Sequence, residues 1–152
     1  MGTDIHGGIE FRHPGAGTDY YDGEPWVAAM DLWPLYDERD YVAFGCLFGV
    51  RNSAGFRPLA PGRGLPADLS SGMRSTLGSW VVPGDLSGAS WVSWAELAEV
   101  LSTVGELART CEQLTIGAVL GPETHWTHVF AVMKALAGRF GDDGVRLVVA
   151  FD

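Results

Sequence analysis

The chain has 152 residues, 47% of them hydrophobic and 19% charged, with two cysteines and a formal net charge of −9. That is enough for one sizeable core and too little to need two, so a single globular domain over residues 1–152 is expected. The acidic balance argues against a nucleic-acid polymer as partner, because duplex affinity comes largely from Lys and Arg neutralising phosphates. No run approaches the roughly 18 to 20 apolar residues that cross a bilayer, and the start reads as a strand rather than as a basic and then apolar leader, so a cytoplasmic location and no membrane partner are expected.

Residues 2–12 alternate, which marks a strand with two different faces. Ile5, Ile9 and Phe11 point one way; Asp4, His6, Glu10 and Arg12 point the other, with Gly7 and Gly8 beside them. A carboxylate and an imidazole two residues apart on one face form the best candidate for chemistry. A breaker, His13-Pro14-Gly15-Ala16-Gly17, opens a long connection that carries Tyr20 and Tyr21, which either line a ligand site or pack on the body. Residues 26–30 read as a second strand, antiparallel to the first.

Residues 37–50 read as a buried helix, capped by Asp37 with Asp40 in its first turn. Phe44, Leu47 and Phe48 share one face and Gly45, Cys46 and Gly49 make the other small, so another backbone can approach closely. Cys46 and Cys111 both lie in apolar surroundings and read as inert core thiols.

Residues 51–90 are rich in Gly, Pro and Ser without sustained periodicity, and read as a long irregular loop. Within residues 51–80 stand Arg51, Arg57, Arg63 and Arg74 against the single acid Asp68, a local balance of +3 in an anionic chain. This suggests a small cationic pocket for a phosphate or carboxylate, or arginines paired with surface acids. Arg63, between Gly62 and Gly64 and bracketed by Pro61 and Pro66, is singled out because its backbone can approach a ligand.

Ser93-Trp94-Ala95-Glu96 is a capping box with Val92 and Leu97 as its hydrophobic staple, and it starts a helix expected to reach about residue 108. Ser90 and Trp91 therefore precede a helix N-terminus, where backbone N–H groups can hold an anion. Residues 111–120 either continue that helix or form a short apolar segment. Glu123 or Thr124 opens another helix, to about residue 140, with Trp126, Val129, Phe130, Met133, Leu136 and Phe140 as its inward stripe. His125 and His128 are three apart but lack a third metal ligand nearby in sequence. A turn at residues 141–144 leads to residues 145–152, a strand apolar enough to be central. If it lies beside the first strand, Asp152 approaches Asp4 and His6.

The opening Met1-Gly2-Thr3-Asp4-Ile5-His6, Arg39-Asp40-Tyr41 with Phe44, Gly49-Val50-Arg51-Asn52, Arg63-Gly64-Leu65-Pro66, Ser90-Trp91 with Glu96-Leu97, and Val145-Arg146-Leu147-Val148 with Phe151-Asp152 together resemble a family of small proteins of tailed phages and actinobacteria. The resemblance spans nearly the whole chain. It implies a cytosolic, phage- or prophage-linked protein and carries over no activity. Members often place histidines just before the Ser-Trp pair, where this chain has Ser87 and Ala89.

The expected fold is α+β: one domain, with a small mixed or antiparallel sheet of the first, second and last strands packed against about three helices. The expected function is a small enzyme acting on a nucleotide-like or phosphorylated anion. His6 would be its general acid or base, with Asp4 or Glu10 setting the protonation of the imidazole, and Arg51 and Arg63 holding the anion. Asp40, Ser90, Trp91 and Tyr21 complete the candidate ligand-binding set. No cofactor is specified and no metal site is predicted, although Asp4 and His6 with Asp40 or Asp152 would make a variant that holds one. The alternatives are a factor that sequesters a ligand or docks on a protein without turnover, and a purely structural role for His6 and Asp4. Trp80 and Trp91 would allow a homodimer.

Overall fold

The computed structural model describes residues 2–81, 86–102 and 116–152. A four-stranded, wholly antiparallel sheet runs in the order β2-β1-β4-β3, formed by β1 (Ile5–Arg12), β2 (Trp26–Asp31), β3 (Ser87–Ser93) and β4 (Val145–Phe151). Every residue of β4 is buried, as its apolar run predicts for a central strand. Its register against β1 sets Ile5 opposite Phe151, His6 opposite Ala150 and Glu10 opposite Arg146.

The two faces of β1 separate as the alternation predicts. Ile5 and Ile9 join Leu147, Val149 and Phe151 in the main core, and Phe11 stacks on Phe140 with ring centroids 4.4 Å apart. That core is closed by α1 (Tyr41–Phe48), α3 (Trp94–Leu101), α4 (Ile116–Leu120) and α5 (Trp126–Phe140), through Phe44, Leu47, Leu97, Trp126 and Met133. The opposite face is covered by α2 (Ser71–Val81), whose Met73 and Leu77 pack with Leu69 over Val148 and Ala150. The glycines beside His6 serve this packing. A Cβ on Gly7, at φ +140°, would stand 1.9 Å from the Val148 carbonyl oxygen, and one on Gly8 would stand 2.8 Å from Met73 Cε.

Three expectations need correction. Helix α1 begins later than residue 37: Asp40 is the N-cap and accepts from the Ala43 N–H at 3.2 Å, while its own N–H donates to the Tyr36 hydroxyl. Tyr36 is stacked on Trp126 at 4.2 Å, so the segment before the cap is held by side-chain packing instead of helical bonds. Residues 51–90 are not loop throughout, since α2 lies within them. Its sequence, with Gly72, Gly78 and several serines, is a poor helix former. What sustains it is a local cap, the Ser70 hydroxyl accepting from the Met73 N–H, together with tertiary bonds in which Glu10 accepts from the Ser70 N–H and Glu24 accepts from both the N–H and the hydroxyl of Ser71. Helix α5 opens at Trp126, because the Thr124 N–H and hydroxyl both turn back to the Gly121 carbonyl.

The capping box is present in full, with Ser93 Oγ accepting from the Glu96 N–H and Glu96 accepting from the Ser93 N–H. Expectations on residues 103–108 and on Cys111 lie outside the described residues. Cys46 is buried in the core. No helix among the described residues is long and apolar enough to cross a membrane.

Candidate functional site

The candidate residues do not form one site; they divide between the two ends of the sheet. At one end β1 enters and β4 leaves, and residues remote in sequence meet there. Asp4 and Asp152 face one another: the Asp152 N–H donates to the Asp4 carbonyl at 3.2 Å, and the Asp4 N–H donates to Asp152 Oδ1 at 3.0 Å. Asp152 Oδ2 then lies 3.2 Å from His6 Nε2, with the two side chains 22% and 23% exposed. Both side chains are thus partly exposed, while Nε2 itself is shielded from solvent, in a dyad whose main-chain frame is already fixed.

Arg39 completes this end. Its guanidinium grips Asp4 with two bonds, Nε to Oδ1 at 2.5 Å and Nη2 to Oδ2 at 3.1 Å. That grip holds the Asp4 carboxyl below the usual carboxylate range, with the nearby imidazole adding to the effect. Burial is slight here, with Arg39 53% and Asp4 44% exposed. Gly2 belongs to the same arrangement, since a Cβ there would stand 2.0 Å from Arg39 Nη1. Successive side chains of an extended segment point to opposite sides, so Thr3 looks away from Asp4 and His6. Arg51 goes with Thr3: its Nε donates to Thr3 Oγ1 at 2.9 Å and its guanidinium lies over the Tyr41 ring, whose hydroxyl accepts from the Thr3 N–H.

Glu10 is at the other end. Four residues along a strand span about 13 Å, so sharing a face with His6 does not bring it to the imidazole. It is fully buried, with Oε1 accepting from Arg146 Nε at 2.7 Å and Oε2 from the Ser70 N–H at 2.8 Å. Both oxygens are committed, and Glu10 is framework. Arg146 also reaches Asp68 Oδ1 at 3.0 Å and lies 3.9 Å above the centroid of Trp26.

Arg63 stands at this end too, and its geometry is that of a latch. Its Nη1 donates to the Trp91 carbonyl and to Glu96 Oε1, and its Nη2 to Glu96 Oε2 and the Leu59 carbonyl, so the four terminal N–H bonds all have partners. The guanidinium covers Trp91, with Cζ 4.9 Å from the ring centroid. The pairing holds the Glu96 carboxyl below its ordinary range. Ser90, fully buried, donates to the Ala60 carbonyl and accepts from the Arg63 N–H. Together these bonds fasten the loop before α2 onto β3. They commit the terminal N–H groups of Arg63 and the hydroxyl of Ser90 to the framework.

A cleft of about 540 Å³ opens over this latch, with Arg12, Arg63 and Arg146 matched by Asp68, Glu96 and Asp143 on its walls. Its charges balance. The cationic pocket expected from four arginines is therefore not assembled: Arg51 is at Thr3, Arg63 is in the latch, Arg57 borders a smaller cavity beside Cys46, and Arg74 is exposed on α2.

Tyr21 is apart from both ends, stacked on His13 at 3.8 Å with its hydroxyl donating to the Glu24 carbonyl, which closes the β1–β2 connection. Asp40 is the cap of α1. His125 Nε2 meets Glu38 Oε1 at 3.1 Å, and among the described residues no group of three His, Cys, Asp or Glu is placed to hold a metal.

Arg39 is the member of the His6 end that residue type does not point to, whereas Asp152 approaches Asp4 and His6 as expected for a last strand lying beside the first. Both stand in the motifs that carry the resemblance. Comparison with known protein families, with curated proteins and with solved structures finds no match for this chain.

Proposed function

We propose that the protein is a small cytoplasmic enzyme that acts on an anionic small molecule, nucleotide-like or phosphorylated, by acid–base chemistry at the end of the sheet where β1 meets β4. The observation that carries this reading is the approach of His6 Nε2 to Asp152 Oδ2, 3.2 Å apart, in two side chains that are each partly exposed although Nε2 itself is shielded from solvent. A carboxylate against one ring nitrogen orients an imidazole for giving or taking a proton. Asp152 takes the role first sought in Asp4 and Glu10. Arg39 takes the role expected of Arg51 and Arg63, because its guanidinium holds Asp4, which lies on the same face of β1 as His6.

The test begins with native purification, denaturation and mass spectrometry of whatever small molecule is released. That compound, with a panel of nucleotides and phosphorylated metabolites, is then assayed for turnover by the wild type and by His6→Gln. We expect turnover to fall by about 10²- to 10⁴-fold in the variant. Undiminished turnover would remove His6 from the chemistry. A compound retained by both proteins and turned over by neither would favour the sequestering reading.

A further inference from the structure

The ion pair between Arg39 and Asp4 has features of a lock that a ligand opens. We propose that Asp4 occupies the seat of the ligand's oxyanion on Arg39, and that a phosphate or carboxylate exchanges with it, releasing the Asp4 side chain beside His6. The inference rests on the acid–base reading for its consequence but not for its test.

Four observations support it. The two-pronged contact uses one edge of the guanidinium, the geometry by which arginine binds any carboxylate or phosphate. Both partners are about half exposed, and pairs so exposed hold together weakly. The main chain at Asp4 is secured through its own N–H and carbonyl to Asp152, so the side chain can leave without loosening β1. Gly2, where a Cβ would collide with Nη1 and Cζ, lets the guanidinium lie against the backbone, so the seat does not depend on Asp4 alone.

The exchange also has a chemical outcome. While Asp4 is held by Arg39 both its carboxylate oxygens are committed there. Once displaced, they are free to turn toward the imidazole, so an arriving anion would bring a second carboxylate to orient His6 for proton transfer.

The probe is inorganic phosphate, followed through the backbone N–H resonances of Thr3 and Ile5 in the wild type, Asp4→Asn, Asp4→Ala, Arg39→Met and Asp4→Asn with Arg39→Met. Removing the competitor should tighten phosphate binding about two- to fivefold in both Asp4 variants, the range that a weak exposed pair represents. Arg39→Met should bind least, and the gain from Asp4→Asn should vanish in its background. Unchanged or weaker binding in both Asp4 variants would overturn the proposal. A gain that survives Arg39→Met would overturn it equally, since it would mark a general effect of charge. The two readings part cleanly: if the gain appears while His6→Gln keeps full turnover, the exchange stands and the acid–base reading falls.

Discussion

The two ends of the sheet hold their charges in opposite ways. Where β1 ends and β4 begins, Glu10 and Arg146 are buried, every carboxylate oxygen of Glu10 has a donor, and Arg63 has spent its terminal N–H groups on Glu96 and two carbonyls. Where β1 begins and β4 ends, the side chains of Asp4, His6, Arg39 and Asp152 are between about one-fifth and just over one-half exposed. A buried charge with all its valences filled cannot turn to a ligand without a large loss, whereas a half-exposed pair can be exchanged cheaply. Charge and residue type alone do not distinguish the two. Solvent access and saturation do.

The contrast can be broken most forcefully at Arg146. Arg146→Met leaves Glu10 buried and without its cation, and should cost about 3–5 kcal/mol in urea unfolding, much of it regained when Glu10 is also made apolar. A smaller loss, about 1–3 kcal/mol, is expected for Arg63→Ala, which strands the carbonyls of Trp91 and Leu59 and frees Glu96. The same variant sharpens the comparison through pH. Because the folded state lowers the Glu96 carboxyl, the pair's contribution is complete above the ordinary glutamate value of 4.5 and is lost as pH falls through the lowered value. Wild type should therefore lose more stability than Arg63→Ala over that acid range, read from thermal midpoints. At the other end, His6→Gln should change stability by no more than about 0.5 kcal/mol while reducing turnover sharply. If His6→Gln unfolds the protein as readily as Arg146→Met, the division into framework and site is wrong.

What the sequence discloses is what is local. The alternation of Ile5, Ile9 and Phe11, the Ser93–Glu96 box and the stripe from Trp126 to Met133 each lie within a dozen residues or so, and each is found where expected. Helix α2 is hard to read because, among its described side chains, Met73 and Leu77 alone mark its inward face, and its N-terminus is held by Glu10 and Glu24 from distant segments. The site was half legible for the same reason. Asp4 and His6 stand together in the sequence, but the partners that give them chemistry, Arg39 and Asp152, come from the next layer and from the far strand. Arg63 misled because glycines around an arginine describe a close approach of backbone without saying to what; it is to β3.

The central position of β4 bears on how the molecule comes to be folded. Its partner β1 precedes it by more than a hundred residues, so the β1–β2 hairpin must persist with one edge of β1 unpaired until β4 arrives. Closing so long a loop is entropically slow, and contacts this remote in sequence are associated with slow folding. Meanwhile Val145–Phe151, nearly uncharged and strongly β-forming, is itself a segment able to pair with copies from other chains. Yield on refolding should therefore fall steeply with protein concentration, and the kinetic hazard sits in the strand that, once placed, is the best protected of the sheet.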